Sequence, residues 1–217
     1  MITVACVKWG RKYDSTWVLK LRSMVARNLS VPHKFVCFTE IPVEGVECRP
    51  LPSDLPTWWS KVGLFRPGLF DGDVLYLDLD VVICEPIDGM VALLEQDRTG
   101  LWIRDDFSYS LRIPRGGIGP DAQRTLGGVG CCNSSVMMWH GDTCREVWEK
   151  FDRRCMDVLH GDQNWISQLL YPAGKIRFLP DEWASSYKYG GSGVIKVFHG
   201  TPKPSEVADR WVQECWR

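Results

Sequence analysis

Val74-Leu75-Tyr76-Leu77-Asp78-Leu79-Asp80-Val81-Val82-Ile83 is the most apolar run of the chain, and it contains two acids. A segment so rich in Val, Leu and Ile reads as a strand buried on both faces, the habit of parallel sheets. Carboxylates inside such a strand are costly unless something compensates them. Side chains alternate along a strand, so Asp78 and Asp80 lean to the same side. Oxygen ligands placed this way suit a hard divalent cation, Mn²⁺ or Mg²⁺, which keeps open positions for phosphate oxygens. The competing reading is that the acids mark a strand emerging into solvent. Val81-Val82-Ile83 argues against it, because the chain does not leave the interior at Asp80.

Outward from this strand, apolar periodicity divides the chain into alternating elements. Residues 2–7 read as a first strand, and a helix runs from Asp14 or Ser15 to about Asn28, with Trp17, Leu21, Met24 and Val25 on its buried stripe. Residues 34–39 and 46–49 read as strands, Pro50, Pro52 and Pro56 break the chain, and a short helix is expected over 58–65. Beyond the central strand, Asp88 caps a helix to Glu95, and 101–104 and 135–139 are strands. Helices are expected over 142–156 and 162–170, strands over 176–179 and 194–198, and an amphipathic helix over 204–216. Residues 105–130 carry Gly and Arg with little periodicity and read as a loop or ragged hairpin; a loop this long is usually functional or mobile. Strands alternating with helices predict one α/β domain over residues 1–217, with a mostly parallel central sheet flanked by helices.

Composition narrows the class. No apolar stretch approaches a membrane span, and the first residues lack the basic start of a signal peptide, so no stable membrane insertion is expected. Nine cysteines are scattered without a C-x-x-C pair, which disfavours a zinc ribbon and suits a reducing cytoplasm. Charge is uneven. Residues 1–39 carry seven basic side chains against Asp14 alone, whereas 40–97 carry twelve acids against Arg49, Lys61 and Arg66. A basic segment beside an acidic one suits an anionic ligand bridged by a metal, although the same charges could simply solvate the first helix.

In such sheets ligands bind beyond the carboxyl ends of the strands. After the first strand comes Lys8-Trp9-Gly10-Arg11-Lys12-Tyr13, with no G-x-G-x-x-G, which disfavours a dinucleotide fold. It offers aromatics to stack on a base and cations to face phosphates; a solvated turn is the plainer reading. Val197-Phe198-His199-Gly200-Thr201-Pro202-Lys203-Pro204 places a potential metal ligand and a phosphate-binding ammonium after an apolar strand. Asp162, in Gly161-Asp162-Gln163-Asn164, is either an N-cap or a site acid. Asn133-Ser134-Ser135 sets polar groups at a strand start, and Lys61, in Trp58-Trp59-Ser60-Lys61, could neutralise phosphate.

Taken in order, Tyr13, Lys61, Leu75-Tyr76-Leu77-Asp78-Leu79-Asp80, Asn133-Ser134, Asp162-Gln163 and His199-Gly200-Thr201-Pro202-Lys203-Pro204 resemble the retaining GT-A-fold glycosyltransferases of family 8, the group of glycogenin and bacterial galactosyltransferases. The resemblance implies that Asp78, Asp80 and His199 bind Mn²⁺ or Mg²⁺. It implies a nucleotide-diphosphate donor, most often a UDP-sugar, held by Val7, Lys8, Trp9, Tyr13, Lys61, Leu79, Asn133, Ser134, Gly200 and Lys203. It sets Asp162 or Gln163 beside the anomeric carbon as the catalytic pair. Two departures stand out. The family's H-x-x-G-x-x-K-P is shortened by two residues between His199 and Gly200, and Asn133-Ser134-Ser135 replaces the usual Asn-Ala-Gly.

The expected reaction is metal-dependent transfer of a sugar to an acceptor hydroxyl with retention. The acceptor is a glycan or, given the stripe Lys12, Lys20 and Arg27 and the loop arginines Arg112, Arg115 and Arg124, a hydroxylated base in DNA. The competing functions are a sugar nucleotidyltransferase, which would want a Gly-rich basic loop after the first strand, and a non-catalytic carbohydrate-binding protein using some of the eleven tryptophans.

Overall fold

A computed structural model describes residues 1–107 and 132–217. Residues 108–131, with the loop arginines and Cys131, lie outside the described part. The elements are β1 (Ile2–Lys8), α1 (Ser15–Asn28), β2 (His33–Thr39), β3 (Glu47–Arg49), a 3₁₀ helix (Thr57–Phe65), β4 (Asp73–Leu77), β5 (Val81–Ile83), α2 (Asp88–Val91), α3 (Leu93–Gln96) and β6 (Leu101–Asp105). Then follow β7 (Cys132–His140), α4 (Glu146–Glu149), α5 (Cys155–Val158), α6 (Asp162–Leu170), β8 (Ile176–Phe178), β9 (Ala184–Ser186), β10 (Ile195–Val197), a 3₁₀ turn (Pro204–Glu206) and α7 (Arg210–Cys215).

Seven strands form the main sheet in the order β3-β2-β1-β4-β7-β6-β8. All its pairings are parallel except those of β7, which runs against both β4 and β6. Both faces are covered. Val4, Cys6, Leu75, Leu77, Val136 and Met138 point into a core shared with α1. Their alternates Ala5, Val74, Tyr76, Met137 and Trp139 point into a second core with the first 3₁₀ helix and α6. Period two in β1, β4 and β7 thus feeds two cores, which is why these strands read as continuous apolar runs.

The decisive stretch is not one strand, as its composition suggests, but two. β4 ends at Leu77 in the main sheet, and β5 pairs antiparallel with β10 in a separate sheet ordered β5-β10-β9. The chain changes partners across Asp78-Leu79-Asp80. Asp78 N still donates to Ser135 O at 2.9 Å, whereas Asp80 O accepts from Phe198 N at 3.1 Å. The expectation that the chain stays inside holds, since Val81, Val82 and Ile83 are fully buried. Composition shows burial; it does not show which sheet buries.

Other expected elements are shorter than their periodicity. The helix over 142–156 is broken into α4 and α5, because Asp152 accepts from Arg154 N and starts a new turn. Asp88 does not cap α2; its carboxylate takes the N–H groups of Ser30 and Val31 and the Ser30 hydroxyl. Asp162 is likewise not an N-cap, that position being Gly161. The helix over 204–216 reduces to the Pro204–Glu206 turn and α7. No described helix is long and apolar enough to cross a membrane.

Candidate active site

β1 and β4 are parallel, and their carboxyl ends open on one edge of the sheet. Because β7 runs the other way, its first residues reach that same edge. Val7 and Trp9, Asp78, Leu79 and Asp80, and Asn133 and Ser134 therefore meet around a cavity of about 630 Å³. Lys61 from the first 3₁₀ helix and Asp162 and Gln163 from the start of α6 close its floor, and His199, Gly200 and Lys203 arrive from the segment after β10. Every residue singled out from the sequence lines this cavity except Lys8. Its buried ammonium turns back to Gly10 O at 3.4 Å, so Lys8 shapes the loop instead.

Each acid of the D-x-D is held by an internal lysine. Asp78 Oδ1 accepts from Tyr76 OH at 2.6 Å and lies 3.4 Å from Lys61 Nζ. Asp80 Oδ2 accepts from Tyr13 OH at 2.8 Å and from Lys203 Nζ at 2.5 Å. Burial, reinforced by these carboxylates, raises both phenols: Tyr13 well above its ordinary range through Asp80, and Tyr76 through Asp78. Both tyrosines therefore stay protonated and donate to these carboxylates.

Lys61 is buried between three partners, donating to Ser134 Oγ at 2.7 Å and lying 3.2 Å from Asp162 Oδ2 besides its contact with Asp78. Burial alone would lower its pKa, but the two carboxylates outweigh that and raise it. Asp162 must share this lysine. Burial pushes its carboxyl up, Lys61 and Ser134 oppose the rise only in part, and Asp78 adds repulsion.

His199 Nε2 lies 2.7 Å from Ser186 Oγ, and its ring stacks on Phe107 at 5.6 Å. Burial and the ammonium of Lys188 lower its pKa, which favours the neutral imidazole. Among the described residues no three His, Cys, Asp or Glu side chains are gathered to hold one ion. The donor chemistry of Asp78 and Asp80 alone fits a small hard ion, which takes one or two carboxylates and leaves its other positions to water and phosphate. The hydrogen bonds described above use Asp78 Oδ1 and Asp80 Oδ2, not the second oxygen of either acid.

Among the lining residues not expected in the site are the rings of Phe107, Trp58, His160 and Tyr189. All are aromatic, and Trp58 and Tyr189 are exposed at 50 % and 42 %. The large exposed rings of Trp58 and Tyr189 were the available signal. The basic stripe of α1 is largely spent inside the molecule. Lys20 Nζ lies 3.4 Å from the Trp216 ring centre, and Arg27 donates to the carbonyls of Cys215 and Arg217. The described residues give DNA as acceptor no support beyond these charges.

The architecture is that of the GT-A glycosyltransferases. The galactosyltransferase LgtC, solved in complex with donor and acceptor sugar analogs, superposes with a TM-score of 0.63 at 13 % identity, covering 98 % of this chain and 94 % of its own. Mouse xyloside xylosyltransferase 1 in its apo form gives 0.61 at 13 %, over 92 % and 97 %. The glycosyltransferase GlyE of Streptococcus pneumoniae TIGR4 gives 0.65 at 16 %, over the whole of this chain and 60 % of its own. No family model and no curated protein matches the sequence.

Proposed function

We propose that this chain is a retaining glycosyltransferase that moves a sugar from a nucleotide-diphosphate donor, a UDP-sugar, to the hydroxyl of a glycan. The observation that carries this reading is the convergence of Asp78, Asp80, Lys61, Lys203, Asp162 and Gln163 on one cavity at the strand ends of a GT-A-type sheet. Trp9 and Tyr13 offer rings to the base at one end. Lys203 supplies positive charge to the diphosphate as the bond to the sugar breaks. Asp78 and Asp80 would hold Mn²⁺ or Mg²⁺, with His199 as the further ligand implied by the family resemblance. When bound, the ion supplies Lewis-acid stabilisation of the leaving diphosphate.

The chain's own residues account for the rest. Asp162, buried and paired to Lys61, fixes the start of α6 and so aims Gln163 into the cavity. The bond between the anomeric carbon and the phosphate oxygen breaks, a bond to the acceptor oxygen forms on the same face, and the acceptor's proton passes to the departing phosphate. No separate base is required. The scattered thiols support a cytoplasmic home.

UDP release from a panel of UDP-sugars, with Mn²⁺ and no acceptor, tests the reading. Wild type should release UDP from one donor, and Asp80→Ala should abolish it. Undiminished metal-dependent release by the variant refutes the assignment. A carbohydrate-binding protein without activity would bind glycans with no dependence on UDP or metal.

A further inference from the structure

One wall of the cavity has no part in the reaction just described. It begins at Thr57, the one non-glycine residue with positive φ among the described residues, at +55°. A β-branched side chain is strained there, and such strain is kept where the surroundings impose it. The next residue is Trp58, half exposed although it lines the cavity.

Gly161 packs against the indole from the other side. A Cβ on Gly161 would come within 3.0 Å of Trp58 Nε1 and 3.2 Å of Cδ1, so a side chain there would press on the ring and push it by a few tenths of an ångström. The His160 ring lies 6.1 Å from the indole, tilted by 31°. Trp58 is thus set by backbone strain on one side and a missing side chain on the other. The residues that follow Gly161 are Asp162 and Gln163. A large ring held this firmly, left open, and placed beside the cavity floor is built to be covered by a ligand.

The charges nearby define that ligand. Of the lysines lining the cavity, Lys203 and Lys12 lie against Asp80 and Tyr13, and Lys61 is spent on Asp78, Asp162 and Ser134. Among the described residues no lysine or arginine lies over the Trp58 ring, whose ring neighbour is His160. A neutral ring with an apolar C–H face and outward hydroxyls finds a stacking surface and the Gln163 amide.

We propose that Trp58, positioned by Thr57 and Gly161, is the acceptor platform, on which one neutral pyranose stacks with a hydroxyl directed toward Gln163. This rests on the transferase reading and specifies its acceptor site. The test is saturation-transfer NMR with methyl glucosides, methyl galactosides, lactose and maltose, on protein with UDP and Mn²⁺, alongside calorimetry of UDP itself.

Wild type should bind at least one of these glycosides. Trp58→Ala should weaken that binding by about tenfold or more, the loss of one ring contact, and Trp58→Phe should retain most of it. Gly161→Ala, which crowds the ring by only a few tenths of an ångström, should weaken glycoside binding less than Trp58→Ala, and neither change should weaken UDP binding. The inference is overturned if wild type binds none of the glycosides, if Trp58→Ala leaves glycoside binding unchanged, or if UDP affinity falls in parallel. Wild-type protein that holds glycosides at Trp58 but never binds UDP sinks the transferase reading and leaves the platform standing.

Discussion

Replacing Lys203 by Met probes the site with effects of two opposite signs. In the free protein the Lys203 ammonium donates to Asp80 Oδ2 at 2.5 Å and to Phe198 O at 2.8 Å, with both side chains of the ion pair 13 % exposed. Methionine keeps much of the stem and removes the charge. Hydrogen bonds to charged groups contribute about 1.5–3 kcal/mol. At about 1.4 kcal/mol per decade, UDP affinity in the presence of Mn²⁺ should fall by roughly 10- to 100-fold. Folding stability should also fall, since among the described residues Asp80 then keeps only the hydrogen bond from Tyr13. Breaking a fully buried pair costs about 3–5 kcal/mol, but Asp80 keeps contact with water at the cavity mouth, so about 1–2 kcal/mol is expected. The opposite sign appears with metal alone. Lys203 competes for the Asp80 carboxylate, so Lys203→Met should bind Mn²⁺ more tightly than wild type when no nucleotide is present. Calorimetry with Mn²⁺ alone and with UDP plus Mn²⁺ measures both. Unchanged UDP affinity together with unchanged or weaker Mn²⁺ affinity would refute the idea that this lysine serves first the acid and then the diphosphate.

Two further outcomes concern the scaffold. Gly100→Ala would drive a methyl group into the Lys175 carbonyl oxygen, which accepts from Leu101 N where β6 meets β8; a loss of about 1–3 kcal/mol should appear as a lower urea midpoint, and an unchanged midpoint would contradict the close approach. Asp97 accepts from the Thr99 N–H and hydroxyl and from Arg177, contacts that lower its carboxyl from 3.8 to about 2. A depressed acid contributes stability above its ordinary pKa and loses it as pH falls toward the folded value. Stability should therefore drop between about pH 4 and pH 2 more steeply in wild type than in Asp97→Asn, and parallel acid limbs would count against the assignment.

What the sequence disclosed and what it hid divide along physical lines. β1, β4 and β7 were legible because burial on two faces leaves an apolar run that no other element of that length shows. α1 was legible from its 3.6-residue stripe and from Asp14, which does cap it, accepting from Thr16 N. The D-x-D was legible because acids are out of place in such a run. Hidden was everything fixed by long-range pairing. The exchange of sheets at Asp78–Asp80 depends on β10, more than a hundred residues later, and β9 is three small residues with no apolar signal. The lysines that hold the two acids lie 17 and 123 residues from them, a separation at which local pattern carries no information. Trp58 was visible as a residue but not as a wall, because its setting needs Gly161 from another element.

The exchange of sheets has a mechanical meaning. Asp78, Lys61, Ser134 and Asp162 belong to or rest on the large sheet, whereas Lys203, His199, Ser186 and Tyr189 ride with the small one. The mouth is thus a seam between two plates, each stiffened by its own ladder and stitched together by Asp78-Leu79-Asp80. Sliding one plate by an ångström would change the spacing between the two lysines without breaking a single backbone bond in either ladder. The strip between the plates is a tripeptide, and of its two acids Asp80 reaches across to Lys203 of the small plate while Asp78 stays with Lys61 of the large one.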